Sequence, residues 1–317
     1  MHQGFLFFAH INPYFYTMER VFAYLKQGVT SNWVMLIILS FVWGSSFILM
    51  KRGLEVFTAP QVGAIRILSA GMFLLPVGYQ AFRRINRRNV LPLFFSGFLG
   101  SLLPACLFAL AETQLSSAVT GIMNALTPIF VLMIGTLFFD LKDFTKRIVF
   151  GLCVAFGGTV ILLLADAGGS FFNLNFYAIF VLIATVCYGV NANLVKHFLG
   201  GLKPLEITSV SLGMMVPFVG VYLFQVSDFS QRLLLEDQAY AALGYLLILG
   251  FIGTSLALIA FNRLVQQAGP VFASLVTYLI PVFALFWGVM DGEEILTGHY
   301  MGMMTIVLGV AITNEKI

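Results

Sequence analysis

The stretch from Asn124 to Asp140, NALTPIFVLMIGTLFFD, returns 153 positions later as TYLIPVFALFWGVMDGE, Thr277 to Glu293. Five of the twelve positions from 124 to 135 are identical between the copies: Leu126/Leu279, Pro128/Pro281, Phe130/Phe283, Leu132/Leu285 and Gly135/Gly288. Chance would supply about one in so apolar a stretch, so the chain reads as one unit duplicated. Each copy is a helix-length apolar run with a proline inside it and a carboxylate at its end, Asp140 or Glu293. Proline has no N–H, so Pro128 and Pro281 each break the helical ladder and free a backbone carbonyl. In hydrocarbon that carbonyl must find a partner inside the protein or in a water-filled cavity. The two stretches are therefore candidates for the lining of a path.

Their surroundings point to a bilayer. With 60% hydrophobic residues, 10% charged and a mean hydropathy of +0.95, the chain cannot hide its apolar surface in a soluble fold of this size. The expected fold is an all-α integral membrane protein. Ten spans are predicted, at 33–50, 61–81, 91–111, 118–139, 148–165, 176–195, 206–226, 241–261, 271–290 and 299–313, each near the length that crosses about 30 Å of hydrocarbon. Thirteen Lys and Arg then fall in loops on one side and three, Lys51, Arg52 and Arg232, on the other. That bias puts both termini in the cytoplasm. Residues 1–32 read as a cytoplasmic lead-in, with Met18 a candidate start and no good fit to a signal peptide.

The duplication extends beyond the proline stretches. Ser40, Trp43, Gly44, Phe47 and Lys51 are answered 145 residues later by Thr185, Tyr188, Gly189, Ala192 and Lys196. Gly100-Ser101 meets Gly253-Thr254, and Gly151 with Gly158 meets Gly302 with Gly309. The halves, 33–165 and 176–313, hold five spans each and so cross the membrane in opposite senses. Inverted repeats of this kind build secondary transporters, with the solute site between the halves near the midplane.

WGSSF with its following Lys51, the arginine in IRIL, ALTPIF, GTSLALIAFN and TYLIPVFALFWGVMDGE resemble, in this order and spacing, the EamA family of the drug/metabolite transporter superfamily. The likeness runs over about residues 33–313. It implies a ten-span carrier of the bacterial inner membrane, often an exporter of amino acids or other small metabolites, with a central cavity. One departure is visible: Arg66 has Ser211 at its duplicate position, so any role of that charge belongs to the first half alone.

Thr120, Asn124 and Thr127 form one helical stripe, matched by Ser274, Thr277, Tyr278 and Pro281. Polar faces are costly against lipid, so these point to the bundle interior, either bonding helix to helix or meeting a solute. Asn124 and Tyr278 are the preferred solute contacts, an amide because it donates and accepts, a phenol because it offers a flat face and a hydroxyl. Trp43 and Tyr188 hold equivalent places and either gate the site or pack where glycine lets helices approach. Of Asn191 and Asn193, at least one faces inward. Arg66 is the one formal charge well inside a span; it reaches the interface, pairs with a carboxylate, or attracts an anionic group of the solute.

The chain has no CxxC, HExxH, phosphate-binding glycine loop or hydrolase elbow, so no metal, cofactor or enzymatic activity is expected. Cys106, Cys153 and Cys187 sit in apolar runs as small core residues. Arg83 to Arg88, RRINRR, fits topology and anionic headgroups rather than nucleic acid. The expected partners are a small-molecule metabolite and the lipid bilayer, and a monomer would suffice because the repeat gives one path per chain. The competing reading is a membrane-embedded sensor or scaffold that binds a ligand without moving it.

Overall fold

The computed structural model describes residues 32–83, 85–115, 117–140, 145–166, 176–290 and 297–313. Nearly all of the lead-in 1–32, with Met18, and the carboxylate Glu293 lie outside the described residues. Among the described residues every regular element is helical. In chain order they are α1 (Asn32–Leu54), α2 (Ala59–Phe82), α3 (Arg87–Glu112), α4 (Ser117–Asn124), α5 (Thr127–Phe138), α6 (Lys146–Asp166) and α7 (Ala178–Phe198). Then follow α8 (Pro204–Val226), the short α9 (Phe229–Leu235), α10 (Ala239–Ala268), the single turn α11 (Pro270–Ser274), α12 (Val276–Met290) and α13 (Thr297–Thr313).

Six of these, α1, α2, α3, α7, α8 and α10, are long and apolar enough to cross a membrane, and shorter apolar helices run through Thr127–Phe138, Pro270–Phe283 and Tyr300–Thr313. Large apolar side chains face outward, among them Ile37, Ile38 and Phe41 on α1 and Met72, Phe73 and Leu75 on α2. In water such a surface would aggregate; against lipid it is the ordinary outside of a span.

Inside, the apolar side chains fall into two clusters. One gathers Phe47, Met50 and Phe57 with Val62, Leu74, Phe108 and Leu246. The other gathers Met35, Leu36 and Leu39 with Ala81, Leu93, Leu152 and Tyr278. Along α1 the clusters occupy opposite ends, and Trp43 packs against both. The middle of the bundle is left between them.

Duplicated positions meet one another across that middle. A Cβ on Gly97 would collide with the carbonyl of Ser211, and one on Gly250 with Ser69 and the carbonyl of Arg66. Gly250 is the duplicate of Gly97, and Arg66 of Ser211. At one edge α6 packs on α13 in the same way: a Cβ on Gly151 would lie 2.8 Å from Gly309 O, and one on Gly158 2.8 Å from Gly302 O. The pairing is reciprocal and antiparallel, and it works because glycine lets the backbones touch.

The prolines depart from expectation in a useful way. The break in the first proline stretch falls at Ala125 and Leu126, so Pro128 is among the first residues of α5, where its missing N–H is harmless. In the second stretch the break falls at Leu275, and α12 continues through Pro281. Pro281 is thus a mid-helix proline rather than the breaking position. It is tolerable there because neighbouring groups or a cavity can take up the carbonyl it leaves.

Candidate functional site

A cavity of about 90 Å³, measured as the volume open to the centre of a water-sized sphere, occupies the middle of the bundle. One water needs about 10–15 Å³ on that measure, so the space admits a small solute or several waters. Two wide, π-helical turns shape it, Phe98–Leu102 in α3 and Phe251–Leu256 in α10, which are duplicates of one another. Such turns carry one extra residue per turn and push the backbone out of line. Here they carry Gly100-Ser101 and Gly253-Thr254, and residues 100, 101 and 254 line the cavity.

The aromatic walls are also matched. Trp43 tilts on Phe261 with centroids 5.4 Å apart, and its indole N–H donates to Gly253 O at 2.9 Å. Tyr188 stacks on Phe108 at 5.9 Å. Phe261 is the duplicate of Phe108. Gly189, beside Tyr188, lets α7 approach α5, since a Cβ there would stand 3.1 Å from the Phe130 backbone. Both rings pack against aromatic neighbours and both line the cavity.

The polar groups come from proline-bearing segments and their neighbours. Asn124 accepts from Thr127 Oγ1 at 3.1 Å, while Thr277 donates to Ser274 O at 2.9 Å, and all four residues line the cavity. Pro128 and Pro281 have no N–H to offer the carbonyls four residues earlier, which belong to Asn124 and Thr277. The Thr277 carbonyl, left by Pro281 within α12, thus sits on a cavity-lining residue, and the Asn124 carbonyl holds the duplicate place at the helix break before Pro128. Asn191 also lines the cavity, with its Oδ1 buried and without a partner. Asn193 does not: its amide donates to Val131 O and Gly189 O, both at 2.9 Å, tying α7 to α5.

Arg66 lines the cavity rather than running to the interface. Its Nε donates to Thr254 Oγ1 at 2.7 Å, and the Thr254 hydroxyl in turn donates to Leu249 O at 3.2 Å. Glu112 and Tyr188 lie within electrostatic reach of the guanidinium, yet neither oxygen of Glu112 has a hydrogen-bond partner among the described residues. No group of three or more His, Cys, Asp or Glu able to hold a metal occurs among the described residues.

Of the residues singled out from sequence, Trp43, Arg66, Asn124, Thr127, Tyr188, Asn191 and Thr277 come together around one space. Tyr278 does not. It is fully buried, and its hydroxyl donates to Leu152 O on α6 at 3.0 Å. Sequence placed it on the cavity stripe by helical spacing counted through Ser274. The break at Leu275 resets that spacing, and Tyr278 turns to the α6 side. Ser46, Phe108, Thr254 and Phe261 line the cavity without having been nominated. Their signal was available in the duplication, since Phe108/Phe261 and the Gly-Ser/Gly-Thr pairs recur at one offset.

Comparison with known proteins bears on what this cavity serves. Over 285 residues the chain is 25% identical to YedA of Escherichia coli K12, named an uncharacterized inner membrane transporter, spanning 86% of this chain and 87% of that one. An uncharacterized transporter of Archaeoglobus fulgidus is 24% identical over 90% of this chain and 99% of its own. YdfC of Bacillus subtilis, also named an uncharacterized transporter, is 25% identical over 87% and 88%. A solved crystal structure superposes with a TM-score of 0.65 over 87% of this chain and 94% of that one, at 16% identity, a likeness of fold alone. The model of the EamA-like transporter family matches twice, at residues 31–164 and 175–315. A multi-pass helical membrane protein with that double match belongs to the EamA-like transporter family.

Proposed function

We propose that the chain is a ten-span carrier that moves a small amphipathic metabolite outward across the inner membrane by alternating access between two inverted five-helix repeats, 33–165 and 176–313. The observation that carries this reading is the reciprocal contact at the cavity. Gly253 lies under Ser46, with a Cβ at 2.9 Å from its hydroxyl, and Gly100 lies under Asn191, the duplicate of Ser46. A site whose two walls are copies of each other can open toward either side by the same rocking motion. Asn124, Thr127, Thr277 and Asn191 would bind the polar part of the solute, Arg66 an anionic end, and Trp43 and Tyr188 its apolar body.

The test is flux. Proteoliposomes holding the purified chain are loaded with amino acids, nucleobases, organic acids and a lipophilic cation, and the loss of each is followed by mass spectrometry against empty liposomes. Selective loss of one class is expected. If nothing leaves while a pool member raises the melting temperature, the chain is a ligand-binding membrane protein that does not transport.

A further inference from the structure

Glu112 closes α3, and among the described residues neither of its carboxylate oxygens touches a donor or accessible surface. The helices packed around this end of α3 are α2, α4, α7 and the second half of α1. From them Arg66 and Lys51 act on Glu112 electrostatically, and Tyr188 faces Arg66. Helix α4, SAVTGIMN, contributes no charge; Arg52 is engaged by Glu55 at 2.8 Å; Cys106 and Cys187 are the thiols of α3 and α7. Among the described residues Arg66 is bonded only through Nε, and no side chain there occupies the donors of its terminal nitrogens.

A buried guanidinium and a buried carboxylate that sense each other without pairing have two ways to balance charge. With Glu112 ionised, its charge offsets that of Arg66 from within the protein. With Glu112 protonated, the cation is left to be balanced by whatever enters the cavity. Uncompensated charge away from water is costly, so each state selects its occupant.

We propose that Glu112 is a proton-binding site linked to the cavity, so that a proton and an anionic group of the solute bind together. The inference rests on the reading of the cavity as the solute site. The proton comes from the aqueous phase to which the cavity is open, adds to a carboxylate oxygen of Glu112, and returns to water on the far side when the solute leaves. One negative charge entering with one proton leaves the charge of the occupied site unchanged. Flux of a monovalent anion through it is therefore electroneutral, and efflux down the anion's own gradient carries one proton out with each solute.

Benzoate is a suitable probe, a monocarboxylate with a flat apolar body for the walls of Trp43 and Tyr188. Binding is measured to the purified full chain in weakly buffered detergent with a pH-indicator dye. About one proton is expected to be taken up per benzoate bound, and Kd should rise about tenfold per pH unit on the alkaline side. In Glu112→Gln both effects should vanish. Infrared titration of the protein without ligand gives a second readout: a protonated-carboxyl stretch that appears on acidification in wild type and is missing from the variant. Benzoate binding without proton uptake overturns the proposal, as does a pH slope retained in Glu112→Gln or the same infrared band in both proteins. Should benzoate fail to bind, the infrared comparison decides alone. Proton-linked binding in a chain that shows no flux would instead sink the transport reading and leave this one standing.

Discussion

The indole N–H of Trp43 donates to the carbonyl of Gly253 across 2.9 Å, joining the middle of α1 to the wide turn of α10. At the duplicate position Tyr188 stacks on Phe108 and makes no hydrogen bond among the described residues. The two halves therefore close on the cavity by matched rings but unequal bonds. Trp43→Phe keeps an aromatic face on Phe261 and gives up the bond, at a cost of about 1 kcal/mol. Its melting temperature in detergent should fall, while that of Tyr188→Phe should match wild type. Equal losses in both variants would contradict the asymmetry.

Gly100 and Gly253 test whether the wide turns set the cavity floor. A Cβ on Gly100 runs into the side-chain amide of Asn191, whereas one on Gly253 meets the hydroxyl of Ser46 at 2.9 Å. Overpacking of this kind costs about 1–3 kcal/mol where neighbours cannot yield. Gly100→Ala should push Asn191 out of place and cut flux by about tenfold, and Gly253→Ala should be milder because a serine hydroxyl can rotate away. Gly213→Ala, with open space around it, serves as the control and should leave stability unchanged within about 0.5 kcal/mol. Full flux in Gly100→Ala would remove Asn191 from the site.

Most of the cavity was legible because duplication marks it twice. Trp43 and Tyr188, Asn124 and Thr277, and the two glycine pairs recur at fixed offsets, and in the structure these pairs meet at the cavity or at the wide turns that shape it. Tyr278 was misplaced because helical spacing assumes an unbroken helix, and the break at Leu275 is a tertiary adjustment with no glycine or proline to announce it. The π-helical turns were not legible either. Gly100-Ser101 and Gly253-Thr254 were visible as repeats, but an extra residue in a turn is fixed by what packs against it, here the backbones of α8 and α2 under Gly97 and Gly250. Asn191 could not be told from Asn193 without the contact of Asn193 with Val131 O.

Tyr278 and Asn124 now carry opposite expectations. Tyr278→Phe removes one buried hydrogen bond to Leu152 O and should lower stability by about 1 kcal/mol with little change in the apparent affinity for the transported solute. Asn124→Leu removes a cavity amide and the partner of Thr127 Oγ1, and should reduce flux at least tenfold. Flux against solute concentration, measured on variants of equal folded yield, separates the two. A large KM change in Tyr278→Phe with normal stability would return that residue to the site.

The connection after α8 supplies a pH test outside the membrane-spanning segments. Asp228 Oδ2 accepts from Arg232 Nε at 2.8 Å and Oδ1 from Gln61 Nε2 at 2.7 Å, while Arg232 Nη1 donates to Val56 O at 3.0 Å. The network ties the loop between α1 and α2 to the head of α9. Its hydrogen bond from Arg232, aided by that from Gln61, holds the Asp228 carboxyl below its ordinary value of 3.8. The folded state therefore binds its proton less readily than the unfolded chain does. The stabilisation is fully present above 3.8 and is lost as pH falls through the lower folded value. Asp228→Asn should melt below wild type at pH 7, hold a constant deficit while the pH stays well above 3.8, and converge with wild type only once the pH has fallen below the lowered folded value. Because the pair is solvent-exposed the deficit should be small and should shrink in high salt. A gap that persists unchanged at the acid end would mean that the carboxylate's charge is not what holds the two loops together.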